Sequence, residues 1–177
     1  MKENTKKIEC RFIEDAGEIE KALEAIANEP FMDMYKDPDF RRKHAEKLAR
    51  YAYVVAEYHD DRPVAVIAFY ANDLDSGVVY LIVGAVIKDA VGITGAKTLL
   101  RIGNTASSLP VLKQMKRVRF KVREDNYHAR RLYEMCFTYT GEQRGKKLFM
   151  EGDLKKLIRK IDELSERFGL KCDVDKS

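Results

Sequence analysis

Residues 78–100 read VVYLIVGAVIKDAVGITGAKTLL, and this stretch decides the fold. Its first ten residues are almost continuously apolar, which is typical of a central strand covered on both faces of a sheet. A loop of small residues with two glycines follows at 89–95, and after it a helix carrying Leu99, Leu100 and Ile102. Such a junction presents free backbone amides and the positive end of a helix dipole at one point. The stretch therefore suits a phosphate-bearing ligand, although loops of this composition often only connect two elements.

Two helices and a hairpin precede this strand. The first helix is predicted over 15–28, with Asp15 as its N-cap and Glu18 completing a capping box. The second begins at Asp37-Pro38, because aspartate is a favoured cap and proline is tolerated at the first helical position, and it ends near Arg50. Two extended segments, 53–56 and 63–70, then flank a polar turn at 59–62, which indicates a β-hairpin.

The remainder alternates strands and helices. Basic and apolar residues alternate over 117–123, which predicts a strand with one buried face. The later elements are a helix over 126–136, a hairpin of 137–143 with 147–150, and an amphipathic helix over 154–168 capped by Asp153 and stopped at Gly169. The predicted order is two helices, three strands, helix, strand, helix, two strands and a terminal helix.

Composition limits the functional class. With 177 residues, 45% hydrophobic and 35% charged, the chain is expected to form a soluble globular domain with one sizeable core. Its net charge of +4 permits nucleic-acid binding, but the basic run is more simply the polar face of a strand, so no nucleic-acid partner is expected. The polar start and the short apolar runs predict neither export nor membrane anchoring. Cys10, Cys136 and Cys172 show no metal-binding spacing, so no metal site is predicted, and they indicate free thiols in the cytoplasm.

Residues 126–137 read NYHARRLYEMCF, directly after the alternating strand. This segment resembles a motif of the GNAT superfamily of acyl-CoA N-acyltransferases, in which Asn, Ala, Leu-Tyr and a closing Phe recur at this spacing. The element order also matches, over residue 8 to about 150. The resemblance implies an α+β fold, a layered arrangement with a central mixed, mostly antiparallel sheet flanked by helices. Residues 1–153 would form the acetyltransferase domain, and 154–177 a helical extension packed on that domain or on a partner subunit.

The resemblance also implies a site. It places Gly84, Ala85 and Val86 beside the pantetheine arm of acetyl-CoA, at a bulge where the central strand parts from its neighbour and a backbone N–H near Gly84 stabilises the oxyanion. It assigns Tyr133 as the acid near the thioester sulfur. The remaining cofactor contacts that it implies are Val91, Gly92, Ile93, Thr94, Gly95 and Ala96 as the pyrophosphate cradle, with Lys97, Asn126 and Ala129. Compared with the family pattern, Val91 replaces a basic or amide residue, Thr94 and Ala96 replace glycines, and Cys136 replaces a glycine.

The function implied is acetyl transfer from acetyl-CoA to a primary amine of a small metabolite or amino sugar by direct attack. A lysine-like amine with a pKa of about 10.4 is neutral in well under one molecule per thousand at pH 7, so it needs a base. The central strand offers no carboxylate. The candidates are therefore His44, Glu57, Asp73 or a water. The missing carboxylate also motivates an alternative, a non-catalytic acyl-CoA-binding or interaction module of the same fold.

The acceptor itself cannot be read from the sequence. In this fold it is shaped by the first two helices and the strand-end loops, here 31–52 and 70–77. An apolar wall is indicated by Phe31, Met32, Met34 and Tyr35. The protein is expected to be a monomer or a homodimer, depending on whether the terminal helix covers its own domain or a second subunit.

Overall fold

A computed structural model describes residues 7–87, 93–134 and 136–170. Seven strands form one sheet in the order β1-β2-β3-β4-β5-β7-β6. Only β4 and β5 run parallel, and the other pairs are antiparallel. The predicted mixed, mostly antiparallel sheet is confirmed. Helices cover both of its faces.

The element bounds follow the predicted pattern closely. The strands are β1 Ile8–Phe12, β2 Tyr53–His59, β3 Arg62–Tyr70, β4 Val78–Val86, β5 Arg117–Arg123, β6 Thr138–Arg144 and β7 Lys147–Asp153. The helices are α1 Ala16–Ala25, α2 Pro38–Tyr51, α3 Ile93–Ser107, α4 Tyr127–Tyr133 and α5 Leu154–Arg167. Two short 3-10 helices lie at Asp33–Lys36 and Pro110–Gln114.

The predicted N-caps form, but Glu18 does not complete a capping box with Asp15, because its carboxylate accepts hydrogen bonds from Arg11 and the Tyr58 hydroxyl. The Asp15 carboxylate accepts the backbone N–H of Glu18 at 2.9 Å, and that of Asp153 accepts Lys156 N–H at 2.8 Å. Asp37 caps α2 through the N–H groups of Asp39 and Phe40. Each carboxylate satisfies amides that the first helical turn leaves unpaired, which fixes where these helices begin.

Three sequence predictions were wrong in detail. The predicted order lacks β1, a short strand that pairs with β2 at the sheet edge. None of its residues is fully buried, so burial leaves no clear signal for this strand in the sequence. The helix predicted over 126–136 ends at Tyr133. The strand predicted to be covered on both faces instead leaves Tyr80 41% and Ile82 37% exposed.

The core has two layers, one on each face of the sheet. On one face α1 and α2 pack against β2 and β3, with Ile19, Leu23 and Leu48 fully buried. On the other face α3 and α5 cover a second cluster that includes Phe69 and Val79. A third cluster under α4 joins this second layer through Leu81 and Phe137. We call the two sides the α2 face and the α3 face.

The terminal helix α5 packs on α3 of the same chain. Asn104 Nδ2 donates to Ser165 Oγ at 2.8 Å, and Ser165 is buried. At Gly103 an added Cβ would lie 2.9 Å from Ile161 Cδ1, so the two helices approach closely at a residue without a side chain. None of the helices in the described ranges combines the length and apolar character that a bilayer crossing requires.

Candidate active site

The central feature of the candidate site is the point where β4 separates from β5. The two strands pair over only four positions, from Val78 with Arg117 to Leu81 with Phe120. Beyond Leu81, β4 runs on to Val86 and β5 to Arg123 without pairing to each other. Backbone N–H and C=O groups along this opening lack a ladder partner on that side, so a ligand can take the place of the missing strand.

The predicted bulge exists, but at a different residue. Ala68 pairs with Val83 and Phe69 with Leu81, so Ile82 is the extra residue of β4. Gly84 is regularly paired with Ile67. The bulge therefore precedes Gly84 by two residues and coincides with the first unpaired position facing β5. Among residues 7–87, 93–134 and 136–170, an added Cβ at Gly84 would meet only Leu81 Cδ2, at 3.8 Å, so this described part of the chain leaves the surface above the glycine open.

Tyr133 lies on the α3 face beside this opening. Its ring meets that of Phe120 edge-on, with the centroids 4.6 Å apart, and Leu81 belongs to the same apolar cluster. Leu81 and Phe120 form the last pair before the strands separate. Burial raises the pKa of Tyr133 above its ordinary value of 10, so the phenol remains protonated at neutral pH.

The amino end of α3 follows the open strand. The helix begins at Ile93, so residues 93–96 of the predicted phosphate cradle, followed by Lys97, form its first turn, with Gly95 buried, Ala96 exposed and Lys97 half-buried. Val91 and Gly92 lie outside the described residues, as do the side chains of Ile93 and Thr94. The first amides of this 15-residue helix have no intrahelical acceptor, which suits an anion.

Asn126 has a clear local function. Its side-chain oxygen accepts the N–H of Ala129 at 3.2 Å, so Asn126 is the N-cap of α4, and Ala129 is half-buried in the cluster that contains Tyr133. This cap fixes the start of the short helix that presents Tyr133. The contacts with a cofactor that the resemblance implies for Asn126 and Ala129 stay predictions.

A cavity of about 330 Å³ lies on the α2 face at the start of β4. Its walls carry three tyrosines and two charged side chains: Tyr51, Tyr70, Tyr80, Lys47 and Asp73. Tyr80 is paired with Arg119 on β5, and only one further pair, Leu81 with Phe120, follows before the strands separate. The cavity thus approaches the strand opening from the side opposite to Tyr133. We call it the α2-face cavity.

The connection between α1 and α2 reaches across the same face. The Phe31 ring lies 4.9 Å from the Arg123 guanidinium, in a cation–π contact with the end of β5 that is not paired with β4. Phe31 has φ of 69°, an unfavourable backbone conformation for an aromatic residue. Of the predicted apolar wall, Tyr35 is buried whereas Met34 is exposed. Phe31 therefore borders the strand opening, whereas Tyr35 packs beside His44.

His44 lies on the same face of α2 as Lys47. Its Nδ1 is 3.1 Å from the Tyr35 hydroxyl, and the two rings are stacked with centroids 5.7 Å apart. Burial, with a smaller contribution from the charge of Lys47, lowers the pKa of His44 below 6.5. The imidazole is therefore neutral at pH 7, the form that can accept a proton.

Glu57 differs from the surface residue that the sequence suggested. It is 0% exposed, and Arg101 binds it through two hydrogen bonds, Nε to Oε2 at 2.8 Å and an Nη to Oε1 at 2.7 Å. Thr98 and His59 also donate to Oε1. Burial raises the pKa of Glu57, but these hydrogen bonds outweigh it and hold the pKa below 4.5. Glu57 anchors α3 to β2 and is not placed to act as a base.

The structure brings together only some of the predicted residues. Tyr133 borders the strand opening on one face and Asp73 lines the α2-face cavity, while His59, from the predicted polar turn, binds Glu57. Lys47, Tyr51 and Tyr70 lie in the segments predicted to shape the acceptor site, but sequence reasoning singled out none of them, nor Arg101. The spacing of His44, Lys47 and Tyr51 on one helical face was the available signal for two of them. Within the described ranges, no three His, Cys, Asp or Glu side chains form a group that could hold a metal ion.

Comparison with solved structures identifies the architecture. The PaiA N-acetyltransferase of Thermoplasma acidophilum, in complex with coenzyme A, superposes with a TM-score of 0.60 at 15% identity, covering 83% of this chain and 99% of that one. An acetyltransferase of the GNAT family from Streptococcus pneumoniae gives 0.60 at 16%, covering 83% and 99%. This chain has the GNAT acetyltransferase fold.

The GNAT fold extends to further structures. The aminoglycoside 6'-acetyltransferase type Ii matches with a TM-score of 0.63 at 11% identity, covering 84% of this chain and 97% of that one. At these identities the comparison establishes the fold. No protein-family model matches the chain, and no curated protein matches it by sequence. Residue roles therefore have to be argued from the geometry of this GNAT fold.

Proposed function

We propose that this protein is an acetyl-CoA-dependent N-acetyltransferase that acts on a primary amine of a small molecule, such as a metabolite or an amino sugar. The observation that carries the proposal is the opening between β4 and β5, bordered by Tyr133 on one face and by the α2-face cavity on the other. A carrier and an acceptor would meet there from opposite sides of the sheet. The superposed PaiA structure, which contains coenzyme A, supports the carrier assignment.

The residues present fit an acyl-CoA. Unpaired backbone groups of β4 beyond Leu81 are available to the amides of a pantetheine arm, and the open surface above Gly84 leaves room for it. The first turn of α3, with Lys97, provides amides and positive charge for the phosphates. Acetyl-CoA supplies a thioester carbonyl. A backbone N–H at the Ile82 bulge is a preorganised donor for its oxygen.

The proton transfers are assigned to two side chains. Tyr133 donates its phenolic proton to the departing thiolate, and its raised pKa keeps that proton available. His44 is our preferred base, because its imidazole is neutral at pH 7. In this role Nδ1–H donates to the Tyr35 oxygen, which leaves the Nε2 lone pair for the amine proton. Asp73 or a water is the remaining alternative, whereas the ion pair with Arg101 disfavours Glu57.

Helix geometry supports the choice of His44. Asn72 Nδ2 donates to Tyr51 O at 2.9 Å, so the carboxyl end of α2 lies beside the loop from which β4 starts. Since β2 follows α2 after a single residue, the helix runs back over the sheet. His44 lies about 10 Å before Tyr51 along the helix axis, and the strand opening lies about 10 Å beyond Val78 along β4. The imidazole would thus be level with the opening.

Acetyl-CoA-dependent release of free CoA, measured with a panel of primary amines, tests the proposal. We expect release above the rate without amine for at least one member of the panel. The second candidate function is a non-catalytic acyl-CoA-binding module, favoured by the absence of a carboxylate on β4 and by the locked Glu57. It predicts that CoA raises the melting temperature while no amine is acetylated. Turnover would eliminate this candidate.

The proposal includes a location. Cys136 carries a free thiol, which is compatible with a reducing compartment such as the cytoplasm.

A further inference from the structure

The α2-face cavity carries two opposite charges. Lys47 and Asp73 both line it, and within residues 7–87, 93–134 and 136–170 neither forms a salt bridge. The Asp73 carboxylate is held in place, because Oδ1 accepts the N–H of Ser76 at 3.0 Å. Hydrogen bonds from Ser76 also lower the pKa of Asp73, so this group is an anion at neutral pH. One anion and one cation therefore border the same small space.

The remaining walls are aromatic and polar. Tyr70 and Tyr80 are paired in the β3–β4 register and so lie side by side, and Tyr51 adds a third phenol from α2. The hydrogen bond from Asn72 to Tyr51 O joins the β3–β4 loop to the end of α2, and both segments contribute walls of the cavity. Phenyl rings suit an aliphatic chain, and phenol hydroxyls can donate to or accept from its polar ends. About 330 Å³ is at the small end of the range for ligand cavities.

We propose, on the basis of the acetyltransferase function above, that this cavity binds the α-amino-acid head group of a diamino acid and presents its distal amine for acetylation. The carboxylate of the head group would pair with Lys47 and its α-ammonium with Asp73. The chain would pass Tyr80 toward the strand opening. The separation of β4 from β5 begins about three strand residues beyond Val78, so the distal amine would extend along β4 toward it.

Other amines match the cavity less well. A polyamine lacks a carboxylate for Lys47 and would bring a second cation close to it, which costs affinity. An amino sugar carries no anion, so Lys47 would remain unpaired. The distal amine of a diamino acid has a pKa of about 10.4 and needs a base, and this requirement agrees with a neutral His44 beside Lys47.

The distal ammonium first loses one proton to water. The neutral nitrogen then forms a C–N bond to the acetyl carbon as the C–S bond breaks, its second proton passes to His44, and the thiolate takes a proton from Tyr133. Exchange with solvent returns His44 and Tyr133 to their starting forms, so the net products are the amide, the CoA thiol and one released proton. No redox partner is required.

Three acceptors and two variants test the proposal. The acceptors are lysine, 1,5-diaminopentane, which lacks the carboxylate, and 6-aminohexanoate, which lacks the α-amine. The variants are Lys47→Met and Asp73→Asn, with Lys155→Met on α5 and Asp75→Asn in the same loop as charge-matched controls. Both control side chains are exposed, and neither lines the cavity. We measure kcat/KM for each acceptor, and we measure CoA binding separately by calorimetry.

We expect each variant to slow a different pair of the three acceptors. Wild-type protein should prefer lysine over either truncated acceptor by about tenfold or more, the value of one charge-assisted hydrogen bond. Lys47→Met should lower kcat/KM for lysine and 6-aminohexanoate but not for 1,5-diaminopentane. Asp73→Asn should lower it for lysine and 1,5-diaminopentane but not for 6-aminohexanoate. The controls should match wild type.

Four results would overturn the inference. Equal rates with all three acceptors, or variants that each lose the same factor with all three acceptors, would show that the cavity does not recognise the head group. CoA binding with transfer to other amines but not to lysine would overturn the diamino acid and leave the proposed function intact. Absence of CoA binding would overturn both.

Discussion

At the scale of single residues, Tyr133 and Glu57 show how environment decides the chemistry of a side chain. Burial acts on both side chains, but it acts alone on Tyr133, whereas four hydrogen bonds also act on Glu57. The first therefore keeps its proton at neutral pH, and the second stays ionised. Burial without polar partners gives a neutral phenol, and burial with a cation and donors gives a structural anion.

Replacing Tyr133 by Phe should separate catalysis from packing. The phenyl ring can keep its edge-on contact with Phe120, so the melting temperature and CoA binding should stay close to wild type. We expect kcat to fall by about tenfold or more, because the thiolate loses its proton donor. Tyr127→Phe, an exposed tyrosine on the same helix, is the control. Unchanged turnover in Tyr133→Phe would remove Tyr133 from this role.

Replacing Glu57 by Gln should strongly destabilise the protein. The Arg101 side chain is only 12% exposed, and Glu57→Gln removes the carboxylate that neutralises its nearly buried positive charge. The free energy of unfolding should fall by about 3–5 kcal/mol at pH 7. Urea unfolding of Glu57→Gln, Arg101→Met and the double variant measures the coupling, and the double variant should be more stable than Glu57→Gln. Additive losses would contradict the ion-pair interpretation.

The same carboxylate predicts a pH dependence. The pKa of Glu57 is lower in the folded protein than its ordinary 4.5, so the unfolded chain binds the proton first as the pH falls. The stabilisation is fully present above about pH 4.5 and is lost as the pH falls through the folded-state pKa. Urea unfolding between pH 7 and pH 3 should show a weaker decline in the double variant Glu57→Gln, Arg101→Met than in wild type. Parallel declines would assign the acid sensitivity to other carboxylates.

At the scale of elements, close backbone contacts position the site. Gly152 on β7 is paired with Val118, and an added Cβ would lie 2.6 Å from Phe137 Cδ1 and 2.8 Å from Cys136 O. The backbone carbonyl cannot move aside without shifting the segment that follows α4, the helix that presents Tyr133. Strand pairing and the placement of the proposed proton donor are therefore coupled at this glycine.

Gly152→Ala should accordingly lower the free energy of unfolding by about 1–3 kcal/mol, the usual cost of overpacking. Chemical denaturation measures it. Gly84→Ala is the matched strand variant, because its Cβ would meet only Leu81 Cδ2 at 3.8 Å. We expect the fold to tolerate that change. If both variants have equal stability, the contact between Gly152 and Phe137 is not rigid.

At the scale of the whole molecule, the sheet separates two approaches to one opening. α3 and α4 lie on one face with Tyr133, and α2 lies on the other with the α2-face cavity. The terminal helix α5 stabilises this arrangement from outside the site, by packing on α3. α5 therefore stabilises α3, the helix whose first turn we propose to bind the phosphates of acetyl-CoA.

Truncation after Asp153 should lower the stability of the chain and leave its oligomeric state unchanged. Removing α5 exposes the α3 surface around Gly103 and Asn104, so unfolding should occur at lower denaturant concentration. Light scattering should give the same number of chains in both proteins. Phe168→Ser, at an exposed position at the end of α5, also tests whether α5 forms a subunit interface, and it leaves the packing of α5 on α3 in place. A drop in that number for either variant would assign α5 to a subunit interface.

The sequence alone determined the elements and the family resemblance. Caps at Asp15, Asp37 and Asp153 and the alternation over 117–123 are local signals, since a carboxylate beside free amides or a period of two depends only on near neighbours. The motif at 126–137, whose resemblance pointed to the GNAT fold, is likewise a pattern of near neighbours in the sequence. The edge strand β1 was missed because its residues are only half-buried and its pairing with β2 joins distant parts of the chain.

Tertiary structure decided the environment of each candidate. Whether Glu57 is a base or an anchor depends on Arg101, 44 positions later, and no local pattern encodes that pair. The bulge fell at Ile82 because strand register is a property of two segments together. Lys47, Asp73 and three tyrosines line one cavity only because the end of α2 meets the β3–β4 loop. Secondary structure follows short-range chemistry, whereas burial, charge pairing and cavities exist only where remote segments pack.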